Sequence, residues 1–174
     1  MRKSILIALF IIIISCSNNN DEYQNDQSIY ENNTLKDYEL FELANEYIKI
    51  NNLESALTEL DKIQVLYPSS KYASKSMLVT AYIHFLNKDY EKTRALADTY
   101  KSYYPGSDNI VYANYLEAMT YYVLMKKNEY SQENTIRALE KFNFILNAYP
   151  DSRYEIDILT KIKLINNNLA AEKL

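Results

Sequence analysis

Leu66-Tyr67-Pro68-Ser69-Ser70-Lys71-Tyr72-Ala73 is echoed further along the chain by Tyr104-Pro105-Gly106-Ser107 and again by Tyr149-Pro150-Asp151-Ser152. Each Tyr-Pro pair closes a helix-like segment, because proline has no amide donor for a helix interior. The Ser or Asp behind it can cap the next helix. The recurrence at Pro68, Pro105 and Pro150 lies in the range of helical repeat arrays. It predicts an all-α solenoid of stacked hairpins, each burying its apolar face against its neighbour.

Working outward from each proline gives the register of a tetratricopeptide repeat, in which helix A meets helix B closely where small residues lie. The first repeat has Leu40, Leu43, Ala44 and Tyr47 on helix A and Ala56, Leu60 and Ile63 on helix B, with a short polar turn at Ile50-Asn51-Asn52-Leu53. The second has Met77, Thr80, Ala81 and His84, then Thr93, Ala97 and Tyr100, with Asn87-Lys88-Asp89-Tyr90 at the turn. Thr93 stands where Ala is preferred. The third has Ala118 and Tyr121, then Ala138, Phe142 and Ile145, with a polar insertion from Lys126 to Asn134 expected to lengthen the loop. After Pro150, Ile156, Leu159, Ile162, Ile165 and Leu169 are placed on one face of a last helix. Lys163 falls where the close-packed Ala would be, so this helix is expected to cap the array. The expected architecture is three helical hairpins plus a C-terminal capping helix, over residues 35–174.

Composition agrees with helices. The chain has one Gly and three Pro in 174 residues, too few for the turns of an all-β or α/β fold. It also has 18 Tyr and no Trp. The net charge is −4 and becomes more negative once Arg2 and Lys3 are removed with a signal peptide, which argues against nucleic acid as the partner.

The N-terminus reads as a lipoprotein address. Arg2 and Lys3 form a positive n-region, Ile5 to Ile14 an apolar run, and Ile13-Ile14-Ser15-Cys16 a small residue at the cut followed by a cysteine. The run is about half the ~20 residues that an uncleaved spanning anchor needs. The pattern resembles the bacterial lipobox, in which the thiol is acylated and the peptide is cut before the cysteine. Residues 1–15 are therefore expected to be removed and Cys16 lipidated. Cys16 is the sole cysteine, so no disulfide or CxxC site arises. Several acyl chains at about 0.8 kcal/mol per buried methylene hold a protein firmly to a membrane. Residues 16–34, rich in Asn, Asp, Gln and Ser, read as a solvated tether.

Lipobox, Asn-rich tether and Tyr38-Glu39-Leu40-Phe41-Glu42-Leu43-Ala44 come in that order, followed by the Pro68 segment, Asp89-Tyr90-Glu91-Lys92 and Tyr103-Tyr104-Pro105. Val111-Tyr112-Ala113-Asn114-Tyr115-Leu116 and Tyr149-Pro150-Asp151-Ser152-Arg153-Tyr154 complete the series. This series resembles the BamD family, the tetratricopeptide lipoproteins of the outer-membrane β-barrel assembly machine, also described as the ComL or YfiO type. The resemblance implies a lipid anchor in the outer membrane, with the domain facing the periplasm, and Ser17 fits the outer-membrane pattern. It implies that the N-terminal repeats recognise the C-terminal segments of unfolded outer-membrane proteins. It further implies that later repeats dock onto the BamA-type barrel subunit and another assembly-machine lipoprotein. Leu174 falls where a fourth repeat would begin, so a form shortened at its C-terminus is expected, with docking more affected than recognition.

No catalytic, metal or cofactor site is expected. His84 is the only histidine, and one glycine leaves no phosphate-cradling loop. Carboxylates such as Glu39, Glu42, Glu46, Asp89 and Glu91 fit solvation and helix-dipole pairing. The positive signal is for binding. Helix A residues not packed on helix B line the concave surface, and those places hold Tyr38, Phe41, Asn45, Tyr82, Phe85, Tyr112, Tyr115, Met119 and Tyr122. Tyrosine offers apolar area with a polar tip, which suits an extended peptide ending in an aromatic residue. The alternative is that these rings fill the space between repeats. Another periplasmic tetratricopeptide lipoprotein, serving secretion or envelope maintenance, is the second functional reading.

Overall fold

The computed structural model describes residues 34–127 and 132–171. Among these, the regular elements are seven α-helices: α1 (Asp37–Lys49), α2 (Leu53–Leu66), α3 (Lys71–Leu86), α4 (Tyr90–Tyr103), α5 (Ile110–Lys127), α6 (Gln132–Ala148) and α7 (Glu155–Ala171). Each helix packs on the next in the chain, and α3 also touches α1 and α5. Three antiparallel hairpins, α1–α2, α3–α4 and α5–α6, are thus followed by α7, as the Tyr-Pro repeats predict.

The small residues make the seams. Ala44 and Ala56, Ala81 and Ala97, and Ala118 and Ala138 are all fully buried, at the places where each A helix approaches its B helix. Thr93 is equally buried, and its hydroxyl donates to the Asp89 carbonyl at 2.8 Å, which satisfies the oxygen that Ala would lack. Around the seams lie three apolar clusters. Leu40, Leu60 and Ile63 centre the first, Leu78, Ala97 and Tyr100 the second, and Phe142, Ile145, Ile158 and Ile165 the third.

The turns within the first two hairpins solve the helix-end problem without glycine. Asn52 N–H donates to the Tyr47 carbonyl (2.8 Å) and Asn51 N–H to that of Ile48 (3.0 Å). In α3, Asp89 N–H donates to His84 (2.9 Å) and Lys88 N–H to Phe85 (3.0 Å). These are paired Schellman bonds, and they place Asn51 (φ 59°) and Lys88 (φ 63°) in the left-handed region. Asn52 and Asp89 then cap α2 and α4, accepting from Ser55 N–H (3.3 Å) and Lys92 N–H (3.2 Å). At the opposite edge, Ser70 Oγ caps α3 by accepting from Tyr72 N–H (3.0 Å) and bonds the Asp37 carboxylate. Ser107 Oγ accepts from Asn109 N–H (3.2 Å) and lies 2.6 Å from the Tyr100 hydroxyl. The corresponding Ser152 hydroxyl is buried and finds no hydrogen-bond partner among the described residues.

Two details differ from the sequence reading. The polar segment 126–134 is not all loop, because α5 runs to Lys127 and α6 starts at Gln132, so part of the insertion lengthens helices. Residues 128–131 lie outside the described residues, as do Cys16 and the expected signal peptide and tether up to residue 33. On α7, Ile156 is 81% exposed and Leu159 is half out, whereas Ile158 and Ile165 are fully buried with Ile162 and Leu169 packed beside them. The core face is therefore 158-162-165-169, a 4-3-4 spacing that follows the helical period more closely than the predicted set. Lys163 is exposed, as a capping helix requires.

Candidate peptide-binding face

The aromatic positions singled out from the sequence recur on α1, α3 and α5 and fall into two environments. On α1 and α3 part of the stripe is open. Tyr38 is 45% and Tyr82 37% exposed, while Asn45 is half-buried. Phe41 is half-buried because Tyr72, from the next repeat, packs against it with ring centroids 5.3 Å apart. Phe85 is half-buried against Tyr90 of its own hairpin at 5.7 Å. The Lys71 and Lys75 ammonium groups sit over the Tyr72 ring at 5.2 and 5.3 Å, which brings positive charge to this part of the face.

On α5 the rings are organised by the turn before α7 and by the first turns of α7. Tyr115 stacks on Tyr154 with centroids 4.5 Å apart and Tyr112 stacks on the same ring at 6.0 Å, with the Arg153 guanidinium 5.0 Å from the centroid of Tyr154. The Tyr115 hydroxyl donates to Asp157 Oδ2 (2.6 Å), and the Lys161 ammonium donates to Asp157 Oδ1 (2.5 Å). Lys161 also lies 5.5 Å from the centre of the Tyr122 ring. Tyr122 is only 6% exposed and meets Phe142 edge-on at 6.0 Å, so it is a core residue and not part of an open groove. Met119 is half-buried and packs on the same cluster.

The neutral phenol is favoured at Tyr112 and Tyr115. Burial raises the Tyr112 pKa, and burial together with the hydrogen bond to Asp157 raises that of Tyr115. Burial by itself would raise the Asp157 carboxyl, but the hydrogen bonds from Lys161 and Tyr115 outweigh it and hold the group below its usual value. His84 is buried at the end of α3, and that burial, with the Lys92 charge, lowers its pKa although Asp89 Oδ2 lies 3.6 Å from Nδ1. Among the described residues no three His, Cys, Asp or Glu side chains are gathered to hold a metal ion. The arrangement offers shape, aromatic area and a few charges.

Sequence reasoning missed four participants. Tyr154 was visible only as part of a motif, and Asp157 and Lys161 could have been found from their i, i+4 spacing. The fourth is Glu117, which bridges helices at the core. It is 3% exposed and accepts from Lys101 of α4 and Lys141 of α6, each at 2.6 Å. Its signal was the presence of a lone acid in the otherwise apolar and tyrosine-rich run of α5.

The pattern that defines the YfiO family, described as outer membrane lipoprotein, matches residues 33–174, which is the whole repeat array. The chain belongs to the YfiO family of outer membrane lipoproteins. Among its curated relatives is the outer membrane protein assembly factor BamD of Rickettsia prowazekii, 29% identical over 121 residues, covering 70% of this chain and 48% of the relative. BamD of Caulobacter vibrioides is 24% identical over 99% of this chain and 56% of its own length. BamD of Pasteurella multocida is 24% identical over 93% and 62% respectively. This YfiO-family chain therefore spans roughly half to three-fifths of the relatives it matches.

Proposed function

We propose that this YfiO-family chain is a non-enzymatic factor of outer membrane protein assembly, anchored through Cys16 and facing the periplasm. Its concave face receives the C-terminal segment of an unfolded outer-membrane protein. The observation that carries this reading is the aromatic stripe on successive A helices, open at Tyr38 and Tyr82 and held rigid at Tyr112, Tyr115 and Tyr154. Rings already stacked lose little freedom on binding, so their area is available at low entropic cost. A terminal aromatic side chain would lie against Tyr82. The names of the BamD relatives, all assembly factors, support the same reading. Docking onto a BamA-type barrel subunit and a further assembly lipoprotein belongs to the same proposal.

Fluorescence anisotropy with a labelled peptide ending in Phe tests it. Loss of an anchor ring at a hot spot costs about 2 kcal/mol, so Tyr82→Ala should weaken binding by roughly tenfold or more. A peptide lacking the terminal Phe should bind correspondingly worse. Equal binding of the two peptides, or an unaffected Tyr82→Ala variant of intact helicity, would reduce the face to a packing seam.

A further inference from the structure

The two edges of the hairpin array differ in chemistry. The edge that carries the turns within the α1–α2 and α3–α4 hairpins is built from Lys49 to Asn52 and Leu86 to Asp89, polar apart from Ile50 and Leu86. The other edge carries the Tyr-Pro turns between repeats, and there Val65 and Leu66 end α2, Tyr103 ends α4 and Ile156 begins α7, every one of them exposed. Pro68, Pro105 and Pro150 are exposed beside them. This row of aliphatic, aromatic and proline residues recurs once per repeat, where a solvated turn would ordinarily carry polar side chains.

The chain enters the array on that same edge. α1 starts at Asp37, and the Asp37 carboxylate bonds Ser70 Oγ at the Tyr-Pro turn, which fixes the start of α1 beside the start of α3. Residues 17–36 separate this point from Cys16. Even fully extended they reach only on the order of 70 Å, so an acylated Cys16 keeps the Tyr-Pro edge within reach of the bilayer. No helix among the described residues is long and apolar enough to cross a membrane, so any contact is made at the surface.

From this conjunction we infer that the Tyr-Pro edge rests on the lipid bilayer itself. Val65, Leu66 and Ile156 enter the boundary between headgroups and acyl chains, and Tyr103 lies at headgroup level, where its ring and hydroxyl are both satisfied. Charges of both signs flank the row, Lys36, Lys71 and Arg153 with Asp37, Asp108 and Asp151, so the contact is apolar and insensitive to salt. Resting on this edge, the array stands with its helices upright on the membrane. The inference depends on the proposed acylation of Cys16.

The chain has no Trp, so a single introduced Trp reports on its own surroundings. The full lipidated chain is reconstituted in vesicles of phosphatidylethanolamine and phosphatidylglycerol with brominated acyl chains, which quench only a Trp that reaches them. Tyr103→Trp and Ile156→Trp should lose roughly half their emission relative to unbrominated vesicles, with little dependence on salt, and Ile50→Trp on the opposite edge should lose almost none. Flotation of wild type with the vesicles, and its loss in Cys16→Ser, checks the anchor separately. Wild type that does not float removes the anchor and the inference with it. Chains that float, keep their helicity and show no quenching at Tyr103→Trp and Ile156→Trp, or equal quenching at Ile50→Trp, overturn the edge contact while leaving the anchor in place.

Discussion

Glu117→Gln is the sharpest test of how the repeats are held together. Glu117 Oε2 accepts from Lys101 and Oε1 from Lys141, each at 2.6 Å, so one carboxylate ties α4, α5 and α6. A glutamine keeps the shape but turns one oxygen into an NH2 group, and whichever way the amide is turned it points donors at an ammonium. Removing one partner of a fully buried ion pair costs about 3–5 kcal/mol. Here the cost is lower, because Lys101 keeps Asp98 at 2.7 Å and the Lys141 side chain is 34% exposed. About 2–3 kcal/mol is expected, which for a domain of this size is a fall in Tm of roughly 5–10 °C. Thermal and urea melts of the helical domain from Leu35 onward measure it, with exposed Lys163→Ala as a neutral control. The triple change Glu117→Leu with Lys101→Met and Lys141→Met should recover most of the loss, since apolar groups of similar volume replace buried pairs at little cost. A Glu117→Gln variant within about 0.5 kcal/mol of wild type, together with a triple variant no better than it, would refute the bridge.

Other expectations bear on the seams, the turns and the tyrosine cluster. Ala44→Leu or Ala56→Leu should overpack the first hairpin and cost about 1–3 kcal/mol in the same melts. Lys88→Gly should raise stability by about 0.5–1 kcal/mol, because Lys88 holds φ 63° where glycine is unstrained. Tyr115 has a raised pKa in the fold, so its contribution is full below the ordinary phenol value of 10.0 and is lost as pH rises beyond it. Tyr115→Phe should therefore show a shallower loss of stability in melts above pH 10. Metabolic labelling with a palmitate analogue should mark wild type and leave Cys16→Ser unlabelled and poorly processed.

The repeat register was legible because close packing leaves little choice. Ala44, Ala56, Ala81, Ala97, Ala118 and Ala138 are fully buried where the spacing from each proline put them. Whatever depends on two distant segments meeting was harder to read. Tyr122 looked like a groove residue by register, but Phe142 and Lys161 close over it. Tyr112 and Tyr115 were placed on the correct helix, yet their partner Tyr154 comes from a turn beyond α6 that no local pattern connects to them. On α7 Ile156 and Leu159 read as core because they are apolar, and only the packing of Ile158 and Ile165 against α5 and α6 reveals which stripe is inside. A charged residue such as Glu117 is assigned to solvent by composition, and its burial follows from two lysines on other helices.

The central claim is that the concave face holds unfolded outer-membrane proteins, and photocrosslinking in living cells tests it most directly. A photoreactive phenylalanine analogue replaces exposed Tyr82 of α3 in one strain and exposed Lys163 of α7 in another. The Tyr82 position should yield adducts with newly made outer-membrane proteins, which disappear when the C-terminal aromatic residue of the substrate is deleted, and the Lys163 position should yield none. Adducts of equal strength from both positions, or adducts at Tyr82 that persist after the deletion, would contradict it.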